Sequence, residues 1–310
     1  MPTVKTALVT GGAGFIGSHI VDALIRRHIK VFVVDDLSAG SRKNLNPNAV
    51  FYKMSVTDPA AARLVARLKP DVVFHLAAQI DVRCSVEDPP QDARVNIMGT
   101  LNIAHASAKA GVKKFIFTSS GGAMYPDTLR PPYSEKTPDD PISPYAIGKR
   151  AAEMYLCFEH RIHGMKTVVL RLANAYGPRQ ALRGGYAGVI SIFARQLLKK
   201  EKTVINGNGK QTRDYVYVSD IVQAHMLAME KNVTGTFNIG TGVQTNVNAL
   251  FRIINRLTGA KQREVHGPAC KGEVMRSALD ARKARRELGW TPKVTLDEGL
   301  KKTVAWFQKR

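Results

Sequence analysis

Short apolar runs alternate with helical patterns along the first half of the chain. The runs are rich in β-branched residues, as is typical of strands buried in a parallel sheet. They lie at 6–10, 31–36, 50–54, 71–77, 113–120 and 166–173. Apolar residues recur at helical spacing after the first run and at 60–68, 91–110 and 144–163. This regular order of strand and helix predicts an α/β fold with a doubly wound parallel sheet.

The composition changes after about residue 174, where Gly-, Pro- and Asn-rich stretches interrupt shorter elements. Residues 215–245 again have the pattern of the sheet, with Ser219 and Asp220 as the expected N-cap of a helix. We therefore predict a sheet domain and a smaller, partly irregular C-terminal domain. The first comprises residues 1–174 and about 215–245, and the second comprises about 175–214 and 246–310.

The charge is high: 46 Lys and Arg against 25 Asp and Glu give a net charge of +21 over 310 residues. Binding to nucleic acid or a membrane surface is one interpretation. However, the basic residues are spread over the whole chain, and no aromatic–basic RNA motif occurs. We interpret them as a solvated surface that also attracts phosphorylated small molecules, and we expect no nucleic-acid partner.

Cysteine use and hydropathy indicate the compartment. Cys84, Cys157 and Cys270 are scattered and odd in number, which favours free thiols in a reducing cytoplasm over disulfides or a zinc site. No apolar run reaches the ~18 residues of a membrane span. The sequence therefore predicts a cytoplasmic protein without a membrane partner.

The stretch VTGGAGFIGSH, residues 9–19, places three glycines between the first strand and the first helix. Gly11 permits a tight turn, Gly14 lets the backbone approach a pyrophosphate, and Gly17 lets the helix pack closely on the sheet. A pyrophosphate then lies at the helix N-terminus, where free N–H groups and the helix dipole favour anions. The stretch predicts a Rossmann-type dinucleotide site.

The acid at the end of the second strand indicates which dinucleotide binds. Asp35 follows Gly17 by 18 residues, the position of a carboxylate that binds the adenine-ribose 2′-hydroxyl. A carboxylate there repels a 2′-phosphate, so NAD is favoured over NADP. Arg42 and Lys43 lie close by in the sequence and work against that preference.

The stretch ISPYAIGKRAAEMY begins a helix, with Ser143 as a cap and Pro144 in the first turn. Tyr145 and Lys149 are then four residues apart on one helical face. The helix N-terminus and the ammonium both stabilise a phenolate. We therefore expect a lowered pKa for Tyr145, which makes it a candidate general base near neutral pH.

Two serines end the fifth strand in the sequence FTSS. Ligands of open parallel sheets bind beyond the carboxyl ends of the strands. Ser119 and Ser120 are therefore both candidates for a residue that holds the substrate oxygen beside Tyr145.

The chain resembles the extended short-chain dehydrogenase/reductases, and among them the UDP-glucose 4-epimerases. The motifs that carry the resemblance span nearly the whole chain: TGGAGFIGSH, VVDDLSAG, HLAAQIDVRCSVEDP, NIMGT, TSSGGAMY, YAIGK, ANAYGPRQ, GNGKQTRDYVYVSD, FNIGTG and ELGWTPKVTLDEGL. The resemblance implies inversion at C4 of a UDP-hexose through a transient 4-keto sugar. NAD takes up and returns the hydride, so none is consumed.

The same resemblance implies the site residues. The catalytic group comprises Tyr145 as base, Lys149 as the residue that binds the nicotinamide ribose and lowers the Tyr145 pKa, and Ser120 as the hydrogen-bonding partner of the sugar oxygen, with Ser119 as its alternative. The cofactor contacts comprise Gly11, Gly14, Phe15, Ile16, Gly17, Asp35, Asp36, Leu37, Ser38, Ala39, Gly40, Ser55, Val56, Leu76, Ala77, Ala78, Asn96, Ser119, Tyr145 and Lys149. The nucleotide diphosphate contacts comprise Asn174, Gly188, Val189, Arg213 and Glu273.

Three further expectations follow from the resemblance. Ser277 falls at the position that gates the sugar pocket, and a small residue there implies that N-acetylated hexoses are also accepted. Cys270 replaces an Arg that usually contacts the pyrophosphate, and Ser55 replaces an acid near adenine. A homodimer is expected through the helices around 94–110 and 144–163.

Other functions remain open alternatives. A 4,6-dehydratase carries Asp-Glu after the serine of the fifth strand, and Gly121 and Gly122 occupy that place. Arg83 could pair with a carboxylate, which keeps a uronate epimerase or decarboxylase possible. The high charge allows an NAD-sensing or nucleic-acid-binding protein without activity, but the Tyr145 and Lys149 pair opposes it.

No metal site is predicted. His160 and His163 are three residues apart on a helix, but the sequence suggests no third ligand near them, so a solvated helix face is the interpretation. His75 ends a strand near the cofactor, and we expect it to pack there and to take no part in acid–base chemistry.

Overall fold

The computed structural model describes residues 4–126, 128–181, 187–269 and 274–309, and a seven-stranded parallel sheet forms its centre. The strands of the chain are β1 (Thr6–Thr10), β2 (Lys30–Asp35), β3 (Val50–Lys53), β4 (Val72–His75), β5 (Lys114–Ser120), β6 (Lys166–Leu172), β7 (Asn174–Tyr176), β8 (Ile205–Asn206), β9 (Thr212–Arg213), β10 (Tyr215–Tyr217), β11 (Gly235–Ile239), β12 (Thr245–Asn246) and β13 (His266–Gly267). The sheet order is β11–β6–β5–β4–β1–β2–β3, with parallel pairing throughout. The Rossmann-type fold class is confirmed.

Helices cover both faces of this sheet. They are α1 (Phe15–Ile25), α2 (Pro59–Leu68), α3 (Val82–Glu87), α4 (Pro89–Ala93), α5 (Thr100–Lys109), α6 (Pro144–His163), α7 (Val189–Leu198), α8 (Val218–Glu230), α9 (Val247–Thr258) and α10 (Leu296–Gln308). The helix predicted over 91–110 is divided, because the π-helical turn Arg94–Gly99 separates α4 from α5. A second π-helical turn spans Ala284–Leu288, and a 3-10 turn spans Arg42–Asn44.

The strands are buried on both faces, which explains their nearly continuous apolar sequences. In β1, Ala7 and Val9 pack into the core that α1 and α8 cover, whereas Leu8 packs into the core formed with α2, α5 and α6. A third core lies between α7, α9 and α10, with residues such as Phe193 and Phe251 at its centre. The boundaries of the two domains stay a prediction.

The helix cap predicted at Ser219 and Asp220 is wrong. Helix α8 begins at Val218, and its N-cap residue makes no side-chain cap hydrogen bond. Asp220 lies within the first turn, and its carboxylate accepts hydrogen bonds from the backbone N–H groups of Lys293 and Val294, both at 3.0 Å. Trp290 donates its indole N–H to the Asp220 carbonyl at 2.8 Å. This acid therefore anchors the C-terminal segment, a partner far away in the sequence.

None of the helices in these ranges is both long and apolar enough to cross a membrane. Cys84 and Cys157 are free, exposed thiols, whereas Cys270 lies outside the described residues.

Two buried histidines connect the strands to the helices. His75 lies between the hydroxyls of Thr10 and Thr100, at 2.9 and 3.1 Å, and stacks on Phe117. It is fully buried, which agrees with the packing role expected for it. Burial lowers the pKa of His75 to about 3, with a smaller contribution from the charge of Lys149. Burial also lowers the pKa of His225 to about 4.

These histidines predict acid sensitivity. The unfolded chain takes up their protons below pH 6.5, but the folded chain resists protonation until the pH nears 3 to 4, so stability falls as the pH falls. Between pH 8 and 5, each histidine should cost about 2 kcal/mol of unfolding free energy. The His225→Gln variant should lose about 2 kcal/mol less than the wild type, as measured by urea unfolding at the two pH values.

The exposed His28 supplies a surface control for the His→Gln exchange, and His28→Gln is measured at the same two pH values. The comparison ends at pH 5, because burial raises the pKa of carboxyls such as Asp214, which take up protons in the folded state at lower pH. Equal pH dependence in His225→Gln and the wild type would contradict the assignment.

Candidate active site

A cavity of about 640 Å³ opens at the carboxyl ends of β1, β2, β4 and β5. All four strands are parallel, so their ends meet at one edge of the sheet, where open α/β sheets bind ligands. One end of the cavity holds the glycine turn and Asp35, and the other holds Ser120, Tyr145 and Lys149. The fold thus brings the two groups of sequence-predicted residues into one space.

The glycine turn has room for backbone and for nothing more. Gly11 has a φ of +70°, and a Cβ there would lie 2.7 Å from the Ala77 nitrogen. A Cβ at Gly17 would lie 2.1 Å from the Gly11 carbonyl oxygen. Gly14 is the N-cap of α1 and provides no side-chain cap for the N–H groups of the first turn. Such an uncapped helix start facing a cavity fits a pyrophosphate.

Asp35 is fixed at the end of β2. Its carboxylate accepts hydrogen bonds from the backbone N–H of Ala13 at 2.9 Å and of Leu37 at 2.8 Å. The residue is buried, and this burial raises its pKa above the ordinary value. Each carboxylate oxygen retains a further lone pair, so the group can also accept a ribose hydroxyl from the cavity. Arg42, in contrast, does not line the cavity, and its guanidinium lies over the Phe51 ring, 5.4 Å from the centroid.

Most residues that were predicted to bind the cofactor line this cavity. They are Gly11, Gly14, Phe15, Ile16, Gly17, Asp35, Asp36, Ser38, Ala39, Gly40, Ser55, Val56, Leu76, Ala77, Ala78, Ser119, Tyr145 and Lys149. Leu37 and Asn96 are not among the lining residues. The Asn96 amide is buried and donates to the Gln79 carbonyl and to Asp92, both at 2.9 Å. It therefore holds the loop that follows β4.

Helix α6 begins as the sequence predicts, since the Ser143 hydroxyl accepts a hydrogen bond from the Ala146 N–H at 3.2 Å. One turn further on, Lys149 is buried and donates to the Thr118 carbonyl at 3.0 Å. Its ammonium also lies 4.8 Å from the centroid of the Phe117 ring. Burial lowers the pKa of Lys149 to about 8, and the negative charges of Asp92 and Glu153 oppose that shift.

The expected lowering of the Tyr145 pKa is not what the structure shows. Burial raises this pKa to about 12, although a hydrogen bond from Ser120 favours the phenolate. The Asp92 charge adds to the rise. The helix terminus and Lys149 are visible in the sequence, and both favour the phenolate. The loss of hydration on burial is not visible there, and it has the largest effect on the pKa of Tyr145. In this structure Tyr145 is therefore a phenol at neutral pH.

The two serines of β5 differ in their surroundings. Ser119 is buried and donates its hydroxyl to Glu153 at 2.6 Å, whereas Ser120 forms a hydrogen bond with the phenol of Tyr145. Glu153 in turn forms a buried ion pair with Arg171, with a shortest distance of 2.7 Å. Adjacent residues of a strand point to opposite faces, which explains why only Ser120 contacts Tyr145.

The residues predicted to hold the nucleotide diphosphate are spread more widely. Asn174 lines the cavity, and its side-chain oxygen is buried without a hydrogen-bond partner. A Cβ at Gly122 would lie 3.6 Å from that oxygen and 4.0 Å from the Ser277 hydroxyl, so these residues surround one point. Gly188 and Val189 begin α7, and Arg213 lies in β9. Gly188, Val189, Arg213 and Ser277 do not line the cavity, and Glu273 lies outside the described residues.

Sequence reasoning missed several residues of the cavity wall. Arg179 and Gln180 line it, and the side-chain oxygen of Gln180 is buried without a hydrogen-bond partner. Arg179 pairs with Asp22 of α1 at 2.8 Å. Trp306, from α10, also lines the cavity. The GPRQ motif offered a signal for the first two, but no local pattern connects α10 with the glycine turn.

The fold and the site define a dinucleotide-binding protein with a Ser, Tyr and Lys cluster at one end of its cavity. The family model of the NAD dependent epimerase/dehydratase family matches residues 7–240. The chain belongs to this NAD-dependent family, as the resemblance of its motifs implied.

Individual proteins agree with this placement. The chain is similar to the UDP-glucose 4-epimerase of Thermotoga maritima, solved with UDP-glucose, at 51% identity and a TM-score of 0.96, over 98% of this chain and 99% of the other. It is 44% identical to the UDP-glucose 4-epimerase of Mycolicibacterium smegmatis, over 98% of each chain. It is also similar to a UDP-N-acetylglucosamine 4-epimerase of Methanobrevibacter ruminantium in complex with UDP-N-acetylmuramic acid, at 36% identity and a TM-score of 0.94, over 99% of each chain.

We expect the purified protein to carry NAD that was not added. The uncapped start of α1 and the Asp35 carboxylate fit a dinucleotide without a 2′-phosphate, so an acid extract should contain NAD and little NADP. Chromatography of that extract against standards measures both. An extract free of nicotinamide nucleotides, from protein whose activity does not rise on adding NAD, would contradict the expectation.

Proposed function

We propose that the chain interconverts a UDP-hexose and its 4-epimer, such as UDP-glucose and UDP-galactose, through a transient 4-keto sugar. The observation that carries the proposal is the hydrogen-bonded pair of Ser120 and Tyr145 beside Lys149, in the cavity that the glycine turn and Asp35 also line. The similarity to proteins named UDP-glucose 4-epimerase supports the choice of substrate.

Each residue of the pair has a role in moving one proton. NAD, when bound, supplies an acceptor for the hydride of C4 and a donor that returns it. In the first half Tyr145 must be the phenolate, the form that its hydrogen bond with Ser120 favours, so that it can take the proton of the sugar 4-hydroxyl. It later gives that proton back to the keto oxygen. The raised pKa of Tyr145 suits the second half, in which the phenol is the acid. Ser120 holds the sugar oxygen and the phenol in line, and Lys149 binds the nicotinamide ribose.

Inversion requires the keto sugar to turn its other face towards the hydride donor while the nucleotide stays in place. Asn174 is suited to hold the nucleotide because its buried oxygen lacks a hydrogen-bond partner. Gly188, Val189, Arg213 and Glu273 complete the proposed set. The start of α7, with Gly188 as an N-cap that makes no side-chain hydrogen bond, offers backbone N–H groups to a phosphate.

The alternatives fit less well. A dehydratase needs acidic residues after the serine, but a Cβ at Gly121 would lie 2.4 Å from a methyl group of Leu279. A uronate enzyme needs a cation against the sugar carboxylate. Arg83 is exposed in α3 and does not line the cavity. A sensor without activity has no need of the Ser120 and Tyr145 pair.

The variant Tyr145→Phe should lose at least ~100-fold in turnover, the usual scale of general acid–base catalysis. NAD content should persist, because the ring still packs. Ser120→Ala should also lower turnover, whereas Ser119→Ala chiefly removes a buried hydrogen bond to Glu153 and should lower stability instead. Turnover by coupled assay and melting temperature separate the two serines. Near-normal epimerisation by Tyr145→Phe would refute the assigned base.

We also infer that the pocket accepts the N-acetylated hexoses. Ser277 lies near Gly122 and Asn174, and Asn174 lines the cavity. The resemblance associates a small residue at this position with acceptance of an acetamido group. UDP-N-acetylglucosamine should be epimerised as well as UDP-glucose. Ser277→Tyr should suppress the larger substrate selectively, because the overlap costs about 1–3 kcal/mol. NMR of both reactions measures this, with Ser277→Ala as the matched control. Wild-type protein active on UDP-glucose alone at millimolar concentration would contradict it.

A homodimer through α5 and α6 is the proposed assembly. These helices and the π-helical turn before α5 expose large apolar side chains, including Met98, Met154, Phe158 and Ile162, with exposures of 48% to 63%. Light scattering at micromolar concentration should give twice the mass of the chain, and Phe158→Glu with Met154→Glu should give the mass of a monomer. A monomeric wild type would contradict the proposal.

A further inference from the structure

Helices α5 and α6 bring together three side chains that can bind a metal ion. His105 lies on α5, and Glu159 and His163 lie one turn apart on α6. One ligand atom from each residue lies within 4.8 Å of the other two. The sequence analysis considered only His160 and His163, and of these only His163 belongs to the cluster. The other two members are Glu159, four residues earlier on α6, and His105, which comes from a different helix.

Glu159 points into this cluster from a buried position. The residue is only 1% exposed, and one of its oxygens, Oε2, is buried without a hydrogen-bond partner. The other oxygen lies 3.0 Å from Nδ1 of His105, and Oε2 lies 3.6 Å from Nε2 of His163. A buried carboxylate with a free oxygen is costly unless a cation or donor satisfies it.

The donor set and its spacing fit zinc. Two ring nitrogens and a carboxylate are typical zinc ligands, with bonds of roughly 2.0–2.2 Å in a tetrahedron. The edges of such a tetrahedron are roughly 3.4 Å long. The ligand atoms of the three residues lie within 4.8 Å of one another, so small side-chain movements would bring them to a shared ion. The cluster also lies in the last turn of α6, where the helix dipole favours a cation. His105 and His163 have side-chain exposures of 46% and 31%, so the fourth position is open to water.

We propose that His105, Glu159 and His163 form a Zn²⁺ site that ties α5 to the end of α6. It is separate from the active site, because Glu159 follows Tyr145 by 14 residues along one helix, or about 21 Å. It takes no part in epimerisation, and it stabilises the packing of the two helices. It lies on the surface proposed for the dimer contact.

The test is titration of Zn²⁺ into the metal-free, NAD-loaded protein by calorimetry. We expect one ion per chain. His105→Ala and His163→Ala should each weaken binding at least about 10-fold, because even outer-shell changes cost 10–100-fold. His160→Ala is the matched control. The His160 ring lies outside the cluster and forms a hydrogen bond with the Met165 carbonyl at 2.9 Å.

A second measurement addresses the buried residue, since a change at Glu159 could disturb folding. Co²⁺ bound to the wild type should show the intense visible absorption of a tetrahedral site, and His105→Ala and His163→Ala should lose it while keeping their circular dichroism. Binding that is absent, or that His160→Ala weakens as much as His163→Ala does, would overturn the proposal. Turnover should stay unchanged in His105→Ala, because the metal site is separate from the active site. The proposed epimerase function is tested independently, by the turnover of Tyr145→Phe.

Discussion

The site depends on the buried ion pair that fastens α6 to the sheet. Glu153 of α6 meets Arg171 of β6 while both are almost fully buried, and it also accepts the hydroxyl of Ser119 in β5. One turn earlier, Lys149 donates to the Thr118 carbonyl of the same strand. Such pairs add little net stability, but they penalise every arrangement that leaves one partner alone. The register of α6 along β5 is thereby fixed.

That register determines which chemistry is available. With α6 held by Glu153 and Lys149, Tyr145 lies at the start of the helix and opposite Ser120. Both serines line the cavity, but the Ser119 hydroxyl donates to Glu153, whereas Ser120 forms a hydrogen bond with the phenol of Tyr145. Two adjacent residues of identical type therefore have different hydrogen-bond partners, because successive side chains of a strand point to opposite faces.

Much of the fold could be predicted from the sequence, because its signals are local. Runs such as 6–10 and 166–173 are short, mainly apolar and rich in β-branched residues, which favours a buried strand. The glycine turn was predicted equally well, because its positions require glycine. A Cβ at Gly11 or Gly17 would lie against backbone atoms. The predicted boundaries of the strands and of most helices differ from the observed ones by at most two residues, as helix and strand ends commonly do.

The misses all involve partners that are distant in the sequence. Asp220 is of a residue type that is common at helix N-caps, but its carboxylate accepts hydrogen bonds from the backbone of Lys293 and Val294. The Tyr145 pKa depends on how deeply the phenol is buried, which spacing along one helix does not reveal. His105 comes to Glu159 from another helix. Local patterns specify elements, whereas the site depends on what those elements bring together.

Trp306 brings the last helix of the chain, α10, to the cavity that the glycine turn before α1 also lines. This residue of α10 lines the same cavity as Gly11 and Gly14, nearly 300 residues earlier in the chain, and Phe15 of α1 packs against the core around α10. A dinucleotide that fills that cavity would therefore lie against both ends of the chain. Ligand that binds only the folded state raises unfolding free energy with the logarithm of its concentration. A cofactor bound there would join the first helix and the last without a covalent bond, and the resistance of the chain to unfolding would rise with the concentration of NAD.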